Sequence, residues 1–169
     1  AGPAVYAANH ASALDIPILF GALPVDFRII HKRSLYLLPI IGLYLYASGH
    51  IGIHRGSAFR AHKELERVAA RVRDGLSVVV FPEGTRSRDS DVGPFKRGSF
   101  LIALEAGVPV VPLSLIGVKQ VARGGLRIAA GRVRVVVHAP ICTTGRDAEQ
   151  AAELAEEVRK IVTVGCAAA

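Results

Sequence analysis

The sequence predicts an α/β domain in which a mixed, largely parallel central sheet is flanked by helices. Short apolar runs alternate along the chain with stretches of helical spacing, a pattern typical of parallel sheets. The most apolar run, Leu76–Phe81, is continuous and not alternating, as expected for a strand covered on both faces. The 169 residues fit one domain with a single core, so we expect one domain over residues 1–169.

The predicted elements follow one another without an interior linker. Strands are predicted at Val5–Ala8, Phe27–Ile30, Ile51–Ile53, Leu76–Phe81, Val108–Ile116 and Arg132–His138. Helices are predicted from Pro17 to about Leu23, from an N-cap at Ser57 to a stop at Gly75, and over Ser99–Ala106 and Asp147–Val162. Because Pro109 and Pro112 cannot donate to a ladder, they predict that their strand lies at a sheet edge or is irregular.

The formal net charge is +7, and the basic residues are unevenly placed. The sequence has no acid between Ala106 and Arg146. The same segment has six basic residues, namely Lys119, Arg123, Arg127, Arg132, Arg134 and Arg146. Such a face suits nucleic acid, an anionic membrane or a phosphorylated small molecule, and a merely solvated surface is an equally open alternative. Nucleic acid is disfavoured because the four tyrosines and six phenylalanines lie mostly in apolar runs, apart from the basic patch.

Two further features limit the class of protein. Cys142 and Cys166 form neither a disulfide framework nor a zinc site, which fits a reducing compartment. The longest apolar stretch, Leu35–Ala47, is short of the ~20 residues that a spanning helix needs, so no transmembrane segment is expected in this chain. Because the chain starts at Ala1 without a methionine, one alternative is that it is a domain cut from a longer protein with upstream helices.

The segment Asn9-His10-Ala11-Ser12-Ala13-Leu14-Asp15 follows the first strand. On one regular helix, residues five apart would point about 140° away from each other. If His10 lies in the turn and Asp15 in the first helical turn, the loop brings them together. Asp15 can then fix the imidazole tautomer and leave the second ring nitrogen as a base. The alternative is that Asp15 caps the helix and His10 is a structural residue.

The segment Phe81-Pro82-Glu83-Gly84-Thr85-Arg86-Ser87 follows the most apolar strand, at the end where open α/β sheets bind ligands. Gly84 allows close backbone approach, while Thr85 and Arg86 offer a hydroxyl and a guanidinium for phosphate. Glu83 can orient Arg86 or bond a substrate hydroxyl. The alternative is a surface turn with an ion pair between Glu83 and Arg86. A further segment, residues 49–56, carries Arg55, which in isolation indicates only an exposed arginine.

In this order, the NHxxxxD, glycine-to-arginine, FPEGTRS and VPVVP segments resemble those of the bacterial 1-acylglycerol-3-phosphate acyltransferases, within the glycerolipid acyltransferase superfamily. The resemblance runs from Val5 to about Ile141. It implies a general base with its helper (His10, Asp15), phosphate contacts (Lys32, Arg55, Arg86) and residues that shape the pocket (Glu83, Gly84, Thr85). His54 stands where the family usually has aspartate, so the head-group specificity stays open.

The resemblance implies transfer of a fatty acyl group from acyl-CoA or acyl carrier protein to the free hydroxyl of lysophosphatidic acid or a related lysophospholipid. The expected product is phosphatidic acid, and neither a metal nor another cofactor is expected. The expected location is peripheral, on the cytoplasmic side of a membrane surface, and no nucleic acid is expected as a partner. Alternatives are a glycerol-3-phosphate or other lysophospholipid acyltransferase, or a non-catalytic lipid-binding module.

Overall fold

A computed structural model describes residues 2–54, 58–86, 92–122 and 127–168, with the backbone alone for residues 58–61. The strands are β1 Val5–Ala8, β2 Phe27–Lys32, β3 Ile51–Ile53, β4 Ser77–Val80, β5 Val110–Ile116 and β6 Arg134–Val137. They form one sheet in the order β3-β2-β4-β1-β5-β6. The first five strands run parallel, and β6 pairs with β5 in the antiparallel sense. The predicted α/β class and mixed, largely parallel sheet are confirmed.

Along the chain a helix follows each strand, as the alternation of apolar runs and helical stretches predicted. They are α1 Asp15–Ala22, α2 Ile41–Ala47, α3 Ala58–Arg73, α4 Gly98–Ala106, α5 Val118–Val121 and α6 Ala151–Ala167. The glycine predicted to end α3, Gly75, has φ +111°, and Gly107 ends α4 in the left-handed region. Neither α2 nor the short α5 was predicted, and the predicted N-cap Ser57 lies outside the described residues.

The central strands of the sheet are buried on both faces, and β1 and β4 are buried at every position. Val5 and Ala7 face a core formed with α3, α4 and α6, while Tyr6 and Ala8 face a second core formed with α1. Side chains of successive strand residues point to opposite faces, so a strand between two helical layers is apolar on both faces, and the exception in β4, Ser77, accepts the Ala4 N–H. This burial explains the continuous run that predicted β4.

Of the two alternatives predicted from Pro109 and Pro112, the sheet edge is wrong, because β5 lies between β1 and β6. Pro112 lies opposite His138, one residue past the end of β6, and its carbonyl oxygen accepts the His138 N–H at 3.0 Å. Val110 and Ile141 form the next bridge, so the β6 side carries one extra residue there. The missing proline N–H therefore falls at this bulge and removes no bond from a regular ladder.

Candidate active site

The NHxxxxD and FPEGTRS segments meet at the edge of the sheet formed by the carboxyl ends of its parallel strands. β1 and β4 are parallel neighbours with Ala7 opposite Val80, so the loops that follow them leave the sheet side by side. His10 lies two residues after the end of β1, and Glu83 lies three residues after the end of β4. Open α/β sheets bind ligands outside the carboxyl ends of their strands, which makes this edge the candidate active site.

The His10 and Asp15 side chains are in direct contact across the loop–helix junction. His10 Nδ1 lies 2.7 Å from Asp15 Oδ2, and Asp15 is the first residue of α1. The same oxygen accepts the backbone N–H of Ala11 at 2.7 Å and of Ser12 at 2.9 Å. Asp15 is fully buried, whereas His10 remains partly exposed. An acceptor at Nδ1 favours the tautomer with its proton on that nitrogen, so Nε2 has a lone pair able to take a proton.

Glu83 supports the loop that carries His10. Its Oε1 accepts the His10 backbone N–H at 2.8 Å, and its Oε2 accepts the Gly93 N–H at 3.1 Å. The residue is only 7% exposed, so its carboxylate is directed at the two loops and away from solvent. The sequence predicted that Glu83 contacts Arg86 or the substrate, and its bond to His10 was not predicted because the two residues are 73 positions apart.

Three further residues of the site were given no role from the sequence. The Phe81 ring stacks on the His10 imidazole, with 4.3 Å between centroids and 27° between planes. At Gly93, a Cβ would come within 2.9 Å of Glu83 Oε2, so glycine allows the loop to approach the carboxylate. Asn9 exchanges side-chain hydrogen bonds with the Leu115 backbone at 2.8 and 3.0 Å. Of these three contacts, only that of Asn9 could have been predicted, because the side-chain amide of an asparagine directly after a strand can form the hydrogen bonds of a backbone group.

Four of the remaining predicted site residues are described, and they lie at the end of β2 or in the turn after β4. Gly84 has φ +74°, and its N–H donates to the Phe81 carbonyl in the turn after β4. Thr85 and Arg86 follow it and are exposed. Lys32, at the end of β2, is also exposed, three residues beyond the paired Ile29 and Val79. Arg55 lies outside the described residues. Hydrogen bonds thus join His10, Asp15 and Glu83, and the phosphate roles of the cations stay predictions.

His54, where the sequence departs from the family pattern, is held by Glu64 of α3. Glu64 Oε2 accepts the His54 backbone N–H at 2.5 Å, and Oε1 lies 2.6 Å from His54 Nδ1. Burial would raise the pKa of Glu64, but the hydrogen bonds with His54 and the charges of His54 and Arg33 together lower it. The Glu64 carboxylate of α3 therefore lies at the end of β3. In the family pattern, an aspartate at the position of His54 would supply a carboxylate there.

A mainly apolar cavity of about 370 Å³ lies beside Phe81. Its apolar wall comes from β2, β3, β4, α3 and α4, through Ile30, Ile53, Leu65, Val80 and Ile102. His54, Lys96 and Ser99 supply polar groups on the same lining. The volume is within the range of small-molecule sites. Because Phe81 both lines the cavity and stacks on His10, the cavity and the imidazole are adjacent.

Comparison with known proteins places the chain in a class. A profile of the family described as Acyltransferase matches residues 1–116. The chain belongs to this acyltransferase family, because the match covers more than half of its residues. In the described ranges, no helix is both long and apolar enough to pass through a bilayer.

Individual relatives show the same class. A chloroplastic 1-acyl-sn-glycerol-3-phosphate acyltransferase of Brassica napus is 40% identical over 82% of this chain and 41% of its own length. The beta form of Homo sapiens is 40% identical over 67% of this chain and 41% of its own length. The crystal structure of the 1-acyl-sn-glycerophosphate acyltransferase PlsC from Thermotoga maritima superposes with a TM-score of 0.81 at 30% identity, covering 97% of this chain and 65% of that one. The chain spans less than half the length of these two curated relatives.

Proposed function

We propose that this chain transfers a fatty acyl group from acyl-CoA or acyl carrier protein to the free hydroxyl of 1-acylglycerol-3-phosphate, giving phosphatidic acid. The observation that carries the proposal is the 2.7 Å contact between His10 Nδ1 and Asp15 Oδ2, made beside an apolar cavity. A base and a space for an acyl chain are both needed for this transfer. The names of the relatives support the same reaction.

In the proposed mechanism, His10 Nε2 takes the proton of the acceptor hydroxyl as its oxygen attacks the thioester carbonyl. The carbon–sulfur bond then breaks, and the imidazolium returns the proton to the departing thiolate, so the free thiol and the new ester form together. Asp15 stabilises the imidazolium through Nδ1, and its buried position keeps water from competing for that bond. No acyl-enzyme, metal or other cofactor is part of the proposal.

The basic residues of the sequence motifs suggest how the acceptor is held. We assign the acceptor phosphate to Lys32, Arg55 and Arg86, with Thr85 beside it, because guanidinium and ammonium groups are the usual partners of phosphate. The acyl chain of the donor is assigned to the cavity beside Phe81. The acceptor and product are lipids, so we place the protein at the cytoplasmic side of a membrane surface, where its charge of +7 favours anionic lipid.

An acceptor screen with one acyl-CoA and one acyl carrier protein thioester tests the proposal, with thiol release as the readout. Release that depends on lysophosphatidate, with phosphatidic acid as product, is the expected result. Release with glycerol-3-phosphate or another lysophospholipid alone would assign a different acceptor, and His54 with its bond to Glu64 is where that difference would arise. Release without any acceptor indicates a thioesterase, and no release with any acceptor indicates a binding module.

A further inference from the structure

The segment from Arg33 to Ala47 exposes large apolar side chains to solvent. It consists of a 3-10 turn, Arg33–Leu37, followed by α2, and we call it the apolar hairpin. Four of its side chains are at least 71% exposed, namely Leu37 at 85%, Ile40 at 83%, Tyr46 at 76% and Leu43. These four line one shallow groove and so form a continuous patch. Contiguous exposed apolar patches on soluble proteins mark surfaces that bind a partner or a membrane.

The inner side of the apolar hairpin is fixed to the sheet. Tyr36 Oη donates to the His50 carbonyl at 2.6 Å and accepts the Gly52 N–H at 3.1 Å, while its ring meets the edge of His31 at 4.8 Å. Leu45 is buried on the same side. The outward face is thus held in place by contacts behind it, and its apolar side chains cannot all turn inward.

The backbone conformation of Ile40 is a second observation that indicates a use for the exposed face. Its φ of +65° is the only positive value at a non-glycine among the described residues. A β-branched residue is strained in that region, whereas glycine would adopt it freely. The chain therefore carries an exposed isoleucine where a glycine would suit the backbone better, which is understandable if the side chain itself is used.

The charges beside the apolar hairpin indicate what binds its exposed patch. The sequence has no acid between Phe27 and Lys63, and Lys32 and Arg33 are the cations that adjoin the apolar hairpin. Lys32 and Arg33, at the start of the apolar hairpin, are exposed. Cations beside apolar and tyrosine side chains are typical of segments that lie in the interface of an anionic bilayer. A second copy docked through the same face would bring like charges together, because a two-fold interface repeats the same patch.

We propose that the apolar hairpin is the surface through which the protein enters the interface of an anionic phospholipid bilayer. It begins directly after the end of β2, on the side of the sheet where the loops that carry His10 and Glu83 also leave it. With fifteen residues in all it is too short to span, and it lies along the surface. The proposal rests on the proposed function for its lipid substrate, but the surface is defined by exposure and charge.

Vesicle flotation of the full chain tests this proposal. The probes are vesicles of phosphatidylcholine alone and of equal parts phosphatidylcholine and phosphatidylglycerol. We expect the double variant Ile40→Gly/Leu43→Ser to partition about tenfold or more weakly than the parent, because two apolar side chains no longer leave water. The matched control is Ile128→Ser/Val164→Ser, which removes two side chains of similar exposure (66% and 67%) elsewhere. Circular dichroism checks that each variant is folded.

The outcomes separate this proposal from its rivals and from the proposed function. Loss of binding in the hairpin variant alone, strongest on anionic vesicles, supports it. Equal partitioning of folded parent and hairpin variant overturns it, and a shift in sedimentation without a shift in partitioning overturns it in favour of a second copy. A short lysophosphatidate dissolved as monomers should be acylated equally by parent and variant. No turnover by the parent on any acceptor would refute the proposed function and leave the vesicle result standing.

Discussion

Asp15 concentrates three hydrogen bonds on one buried oxygen. Oδ2 accepts from the His10 ring and from the amides of Ala11 and Ser12, so one carboxylate both folds the loop and orients the imidazole. Its other oxygen, Oδ1, is buried without a hydrogen-bond partner in the described part of the chain. A carboxylate held this way is directed at the imidazole, which fits the positioning of a base.

Asp15→Asn should lower kcat by about 10²–10⁴-fold with little change in KM for either substrate. An amide turned to accept from the two backbone N–H groups can still fold the loop, but it carries no charge to stabilise the imidazolium. Steady-state thiol release measures both constants. Asp26→Asn, an exposed aspartate paired with Arg28, is the control and should leave both unchanged. A fall in kcat of less than about threefold would contradict the proposed role of Asp15.

Glu83→Gln distinguishes a positioning role from substrate binding. Glutamine can accept only one of the two backbone N–H groups that Glu83 now accepts, so the site should lose about 1–3 kcal/mol of stability and hold His10 less firmly. We expect kcat to fall at least about tenfold with lipid KM unchanged, together with a lower melting temperature. The exposed Glu66→Gln serves as the control. A raised lipid KM at unchanged kcat would instead assign Glu83 to the substrate.

Arg86→Ala should raise the lipid KM about tenfold or more, because one charge-assisted contact to phosphate is lost. The effect should be much smaller with an acceptor that lacks phosphate. Arg127→Ala removes a charge from another exposed position and should change neither KM. Parallel kinetics on the two acceptors provide the measurement, and equal losses on both would argue against a phosphate contact at Arg86.

At the scale of elements, the apolar hairpin covers two buried histidines. His50 Nδ1 accepts the Ile29 N–H at 3.2 Å, and His31 Nδ1 bonds the Lys32 carbonyl at 3.0 Å. Burial lowers the pKa of the His31 imidazole, although its bond to Lys32 opposes the shift. Burial and the charges of Arg28 and His31 lower the pKa of His50. Both rings therefore favour their neutral forms in the folded protein.

The free energy of unfolding should consequently fall as the pH drops below about 6.5, the ordinary histidine value. In that range the unfolded chain takes up protons that the folded protein resists, whereas above it both states are neutral and the effect disappears. Urea unfolding between about pH 5 and pH 8 measures the slope. His50→Asn keeps an acceptor for the Ile29 N–H and should flatten the curve. An equally steep curve in that variant would contradict the assignment to His50.

The strands could be predicted because apolar runs depend on burial, and burial of β1 and β4 between two helical layers leaves a local mark in the sequence. The edge placement of β5 failed for a different reason. The effect of a proline depends on which neighbouring strand its nitrogen faces, and Pro112 faces the bulge at His138. That direction follows from register across the sheet, which no local pattern carries.

The contacts of the site likewise include one that could be predicted from local sequence and others that could not. His10 and Asp15 are five residues apart, so their contact could be deduced from one loop and the start of one helix. The Glu83 bonds and the Glu64–His54 pair depend on which strands and helices are neighbours. The Phe81 ring reaches His10 for the same reason. Local chemistry was therefore accessible from the sequence, while the supports that orient it required the topology.

At the scale of the whole molecule, β1 lies at the centre of the sheet with β4 and β5 on either side. β2 follows β1 in the chain but lies beyond β4, while β5 lies on the opposite side, so chain connections diverge around the end of β1. Sheets of this kind place ligand sites at such a divergence. The proposed base therefore lies where the topology itself leaves a crevice, with the apolar hairpin starting at the same edge.

The central claim is that His10 takes the acceptor proton, and His10→Ala tests it most directly. Thiol release should fall by at least about 10²-fold, while titration calorimetry should show lysophosphatidate binding within about twofold of the parent, because the base acts in the transition state. The exposed His62→Ala is the matched histidine control and should retain turnover. Near-normal thiol release by a folded His10→Ala variant would contradict the account.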